Sequence, residues 1–260
     1  MKKVALVAAL MMSTLAVPAA MAKEWKQIRI GLEAAYPPFS SKTPDGKLAG
    51  FDIDIANALC AQMKAKCTFV EQDWDGIIPA LNARKFDAVI SSMTITDERK
   101  QSVEFSTKYY NTPSRLVAKA DGKLNATPAG MKGKKIGVLR ASIQETYAND
   151  LFGKAGATVV PYGSQNEAFL DLASGRVDAT LVDVVVGNEG FLKTPSGKGF
   201  GFVGAVLDDP KYLGQGAGVA VRKSDADLRD QFSAAIKAIR ANGVYKKTQD
   251  KYFDFDVYGK

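Results

Sequence analysis

The sequence predicts an α/β protein of two similar lobes, each built on a parallel sheet, joined by a two-stranded hinge. Three observations carry this expectation. Short apolar runs alternate with amphipathic stretches in the order βαβαβ, which favours a parallel sheet between helices. The same order recurs downstream with related letters, "IRIGL" against "KKIGV" and "LNARKFDAVISS" against "LASGRVDATLVD". A late apolar run, "GAGVAVRK", reads as a strand crossing back to the first lobe, so the connections fall near 110–115 and 205–215. Lobe 1 then comprises 23–112 and 214–260, and lobe 2 comprises 113–213.

The first 22 residues have a basic start (Lys2, Lys3), an apolar stretch from Val4 to Val17, Pro18, and the small-residue end Ala20-Met21-Ala22. That pattern predicts a secretory signal peptide cleaved after Ala22. The apolar run is shorter than the ~20 residues needed to span a bilayer. Export leaves Lys23 to Lys260, and loss of Lys2 and Lys3 takes the formal charge from +7 to +5.

The elements follow in order. Ile28 to Leu32 is a short strand, with the turn signal Tyr36-Pro37-Pro38-Phe39 beyond it. In "GFDIDIANALCAQM", Phe51, Ile55, Leu59 and Met63 share helical spacing. "KCTFVEQ" reads as a strand, "WDGIIPALNARK" as a helix and "FDAVISS" as a strand. The second set is "KKIGVLRAS", a strand; "IQETYANDLFGKAG", a helix closed by glycine; then "ATVVPYG", "SQNEAFLDLASGR" and "VDATLVD" as strand, helix and strand. "DADLRDQFSAAIKAIRANG" reads as an amphipathic helix near the end.

Composition excludes several classes of function. There is no histidine, which rules out Ser-His-Asp and Cys-His catalysis. Lysines and acids are interspersed, without the basic block or aromatic-interleaved stripe of a nucleic-acid surface. Cys60 and Cys67 are the only cysteines, and their six-residue spacer in an exported chain predicts one local disulfide. It would tie a helix end to the next strand.

In open parallel sheets, ligands sit beyond the carboxyl ends of the strands. That rule selects Glu33 and Tyr36, Trp74, and Ser91, Ser92 and Thr94 in the first lobe. In the second it selects Ser142, Ile143 and Gln144, and Asp183. Each has a structural alternative. Thr96 reads as an N-cap with Asp97 and Glu98 in the first turn, whereas Arg99 opposes the helix dipole there. Arg99 either pairs with those acids or faces a ligand carboxylate. Asp183 is either a helix cap or the partner of an ammonium. Tyr36 and Trp74 are core aromatics or a sandwich for a ligand side chain. Glu33 is a solvated loop carboxylate or the counter-ion of a distal positive charge.

The motifs "GFDIDIANALCAQM", "DWDGIIPAL", "DAVISSMTITDERKQSVEFS", "GVLRASIQETYAND" and "KYFDFDVYG" resemble the periplasmic solute-binding proteins of polar amino-acid ABC importers. The resemblance spans essentially the whole mature chain and is nearest the lysine/arginine/ornithine-binding and histidine-binding branch. It implies a type II periplasmic-binding fold that closes on one amino acid and is presented to a membrane permease. By that resemblance Arg99 binds the α-carboxylate and Asp183 the α-ammonium. Ser91, Ser92 and Thr94 supply hydroxyl and backbone contacts, Tyr36 and Trp74 the aromatic sandwich, and Cys60 and Cys67 the disulfide.

Glu33 stands where the family often has aspartate, and Ile143 where it often has threonine. The resemblance therefore implies a periplasmic, monomeric binder of a cationic L-amino acid, arginine before ornithine or lysine, with no cofactor or metal. Histidine or another polar amino acid is the alternative ligand, and a dehydratase-like enzyme with Glu33 as acid or base is the alternative class.

Overall fold

The structure is a computed structural model that describes residues 24–259. The expected signal peptide lies outside the described residues. Among these residues no helix is long and apolar enough to cross a membrane.

The first lobe begins with β1 (Gln27–Leu32), where exposed Gln27 and Arg29 alternate with buried Ile28 and Ile30. Three short strands follow, β2 (Ala35–Tyr36), β3 (Ser40–Lys42) and β4 (Leu48–Ala49), forming a small antiparallel sheet. Helix α1 (Phe51–Gln62) buries Phe51, Ile55 and Leu59, as their spacing predicts. Next come β5 (Lys66–Glu71), one 3-10 turn at Trp74–Gly76 leading into α2 (Ile77–Asn82), and β6 (Ala88–Val89). The four-residue helix α3 (Asp97–Lys100) and β7 (Glu104–Tyr110) complete this part.

The second lobe starts with β8 (Ser114–Lys119) and β9 (Lys135–Leu139). Helix α4 (Ile143–Tyr147) follows, then β10 (Thr158–Tyr162), α5 (Gln165–Ala173), β11 (Ala179–Asp183) and α6 (Val184–Gly187). Strand β12 (Phe200–Leu207) and α7 (Pro210–Leu213) precede the return strand β13 (Ala217–Val221). The chain ends in α8 (Ala226–Ala241) and α9 (Val244–Gln249).

The sheet orders are β5-β1-β6-β13-β7 and β10-β9-β11-β8-β12. "IRIGL" and "KKIGV" thus become the equivalent strands β1 and β9, each flanked by two parallel partners. Each sheet is built on parallel strands, as the sequence predicts, and takes in one strand that runs against its neighbours. β13 runs antiparallel to β6 and β7, and β8 antiparallel to β11 and β12. These two strands enter their sheets from the connections between lobes. They therefore start at the carboxyl end of the parallel strands and must run the other way.

The helix expected over 143–156 also differs. After Tyr147 it widens into a π turn, Ala148–Gly153. The wider turn keeps Tyr147 and Phe152, five residues apart and both buried, on one face with rings 5.9 Å apart.

Between the lobes, β7 ends at Tyr110 and β8 begins at Ser114, while β12 ends at Leu207 and β13 begins at Ala217. Gly216 has φ 97°, and a Cβ there would lie 2.5 Å from the Tyr110 carbonyl oxygen, so only glycine lets these two connections approach. The C-terminal segment braces the same region. Phe253 packs its ring on Phe51 at 5.1 Å, and the Asn111 N–H donates to the Val257 carbonyl at 2.9 Å. At the far end of lobe 1, a disulfide joins Cys60 in α1 to Cys67 in β5, with Cα atoms 6.1 Å apart.

Candidate functional site

A small cavity opens between the lobes. Its wall includes all eleven candidate residues singled out from the sequence, Gln144 among them. Lobe 1 brings Glu33, Tyr36, Trp74, Ser91, Ser92, Thr94 and Arg99, and lobe 2 brings Ser142, Ile143, Gln144 and Asp183.

Arg99 sits in α3, whose N-cap Thr96 accepts a hydrogen bond from the Arg99 N–H at 3.2 Å. Its guanidinium does not pair with Asp97 or Glu98. Nη1 donates to the Thr94 carbonyl at 3.0 Å, Nη2 donates to the Ala141 carbonyl of the other lobe at 3.2 Å, and the group lies over the Trp74 ring at 5.2 Å. No carboxylate oxygen among the described residues lies within 4.0 Å of it. Burial pushes Arg99 down to about 10, so it stays protonated at neutral pH.

Asp183 both caps a helix and faces the cleft. Oδ1 accepts from the Val185 and Val186 N–H groups at 2.8 and 3.2 Å, and Oδ2 accepts from the Thr112 hydroxyl. Burial raises this carboxyl to about 6, against the lowering effect of those three donors. An ammonium arriving here would compensate the buried charge.

At the other end, Glu33 is 7 % exposed, and its N–H donates to the Ser91 hydroxyl at 3.0 Å. Burial first, then the negative charges of Asp73 and Asp75, raise its carboxyl to about 7. Tyr36 is held well above the ordinary phenol range, mainly by burial, so it presents a neutral ring. The Trp74 indole N–H donates to the Ala141 carbonyl at 3.3 Å.

Two serines are occupied differently from the simplest expectation. The Ser142 hydroxyl caps α4, accepting from the Glu145 N–H at 3.1 Å. The Ser92 hydroxyl donates to Asp52 at 2.9 Å. The cavity also includes Tyr110, Asn111, Thr112 and Ser114, which the strand-end rule does not select. Tyr110 ends β7, a strand the sequence reading did not assign, and Asn111, Thr112 and Ser114 lie on the connection into β8, at the amino end of a reversed strand where a rule for parallel strands has no reach. Gln144, selected only as a strand-end residue, donates its amide N–H to the Ser114 hydroxyl at 3.0 Å on the same wall.

Two like lobes around one cavity, with a part-buried cation and buried carboxylates facing it, define a protein that encloses a small zwitterionic solute. The chain belongs to the bacterial extracellular solute-binding proteins, family 3, whose model matches residues 28–255. It is 59% identical over 259 residues to an L-arginine-binding protein of Pseudomonas aeruginosa, covering 100% of this chain and 99% of that one. It is 46% identical over 232 residues to the lysine/arginine/ornithine-binding periplasmic protein of Escherichia coli, covering 89% of each. Among solved structures, an ancestral arginine-binding protein bound to arginine superposes with a TM-score of 0.82 at 37% identity, covering 89% of this chain and 100% of that one.

Proposed function

We propose that this protein captures a free cationic L-amino acid outside the cytoplasm, arginine before ornithine or lysine, and delivers it to the permease of an ABC importer by hinge closure. The observation that carries the reading is the charge layout of one cavity. Among the described residues, the Arg99 guanidinium has no carboxylate partner and buried Glu33 no cationic one, and both share the cavity with buried Asp183. An α-carboxylate on Arg99, an α-ammonium on Asp183 and a distal cation on Glu33 would pair all three. The arginine-binding relatives support the choice of ligand.

In this reading the lobes divide at 112/113 and 213/214, so that rotation about the two connections opens and shuts the cavity. The protein works as a monomer in the periplasm, exported by its first 22 residues, and binds its solute without turning it over. Relatives that are binding proteins support that class. Calorimetric titration against the twenty amino acids plus ornithine tests the proposal. Arginine should bind tightest, and a preference for glutamine or glutamate over every cation overturns it.

A further inference from the structure

Ser92 adopts φ 54°, a left-handed conformation that a residue with a Cβ takes only when its surroundings impose it. Three hydrogen bonds do so. The Ser92 N–H donates to the Tyr109 phenol oxygen at 3.0 Å, and the Ser92 hydroxyl donates to one carboxylate oxygen of Asp52 at 2.9 Å. The Tyr109 hydroxyl donates to the other at 2.8 Å. Asp52 is 1 % and Tyr109 0 % exposed, so both are closed to solvent, and each carboxylate oxygen has its own donor.

Neither residue is on the cavity wall, yet the turn they hold is. It directs the chain from β6 past Ser91, whose hydroxyl carries the Glu33 N–H, to Thr94, whose carbonyl holds Arg99. With its one proton given to Asp52, the Ser92 hydroxyl has no proton left for a ligand carboxylate.

We propose that Asp52 and Tyr109 are positioning residues of the head-group site: they lock Ser92 in its left-handed turn, and Ser92 serves the ligand through its backbone rather than its hydroxyl. This rests on the amino-acid capture proposed above.

The test compares Ser92→Ala with Ser92→Gly. Both delete the hydroxyl, but only glycine adopts the left-handed turn without strain. Titrated with L-arginine and with L-ornithine, Ser92→Ala should bind about tenfold more weakly, equivalent to ~1.4 kcal/mol, and by the same factor for both ligands. Ser92→Gly should bind both ligands at least about threefold more tightly than Ser92→Ala, because glycine keeps the backbone geometry. Tyr109→Phe, which strips the N–H of its acceptor, should also weaken both ligands equally.

Equal losses in the alanine and glycine variants would show that the hydroxyl itself meets the ligand, and no loss in either would show that the turn is idle. Each result overturns the proposal. Without ligand, Ser92→Gly should also melt about 2 to 4 °C above Ser92→Ala. If the parent binds no amino acid, the functional reading fails. The melting order then decides the positioning role alone, and alanine melting at or above glycine overturns it.

Discussion

Glu33 is where chemistry and sequence separate most clearly at the scale of a residue. Its carboxyl is raised to about 7 by burial, and next by Asp73 and Asp75. Between the ordinary carboxylate value and 7, the folded unliganded protein holds a proton that the unfolded chain has lost. Its stability from this group is therefore full at low pH and falls as pH rises through that window. Binding has the opposite sign. If, as proposed, a cationic side chain pairs with ionised Glu33, binding should expel the proton and affinity should rise with pH up to about 7.

Arginine should bind roughly 10- to 100-fold more weakly at pH 5 than at pH 8. Titration in buffers of different ionisation enthalpy should register proton release near pH 6. In Glu33→Gln that dependence should shrink to the part contributed by Asp183, which burial raises to about 6. A flat pH profile in the parent would show that Glu33 does not meet the ligand charge.

At the scale of elements, one buried side chain ties four of them. Arg222, 5 % exposed at the end of β13, donates to Asp225 at 2.7 Å ahead of α8 and to Asp87 at 3.2 Å beside β6. It also donates to the Phe86 and Leu81 carbonyls, at 2.6 and 3.1 Å, beyond and within α2. Truncation strands the buried Asp225 carboxylate and two carbonyls, so Arg222→Ala should cost about 3–5 kcal/mol in urea unfolding. The disulfide contributes differently, by restricting the unfolded chain. Replacing Cys60 and Cys67 together by serine should cost about 2.5 kcal/mol for so short a loop. Arginine affinity should stay unchanged, since the bridge lies at the end of lobe 1 remote from the cleft.

At the scale of the whole molecule, one place where the lobes touch is the tip around Ala141. The Ala141 carbonyl, on a residue with φ 56°, accepts from both Trp74 and Arg99, and Arg140 pairs with Asp75 at 3.3 Å. The Arg140 pair is half exposed, with side chains 50% and 41% accessible, and contributes at most about 1 kcal/mol. Arg140→Ala should therefore speed arginine dissociation only about two- to fivefold at low salt, and the difference should vanish near 0.5 M salt. Stopped-flow measurement at both salt concentrations checks this, and an equal effect at high salt would show that the pair acts through packing.

The sequence by itself determined the repeat, the apolar faces of the helices, the cysteine pair and the strand ends whose residues line the cavity. Each follows from local chemistry: period in hydrophobicity, spacing, and turn residues where a parallel strand stops. Tertiary structure alone decided the rest. It reversed β13 and β8, because a strand that enters a sheet from the hinge must run against its neighbours. It settled that Arg99 does not pair with Asp97 and Glu98, since the guanidinium reaches instead toward carbonyls on two lobes. It gave Asp183 two roles that had looked exclusive, because one carboxylate can cap a helix with one oxygen and present the other to a cleft. And it brought Asp52, Tyr109 and Ser92, up to 57 residues apart in sequence, into one buried network. No local pattern reports such a contact, because hydrogen bonds between distant segments are written only when the chain folds.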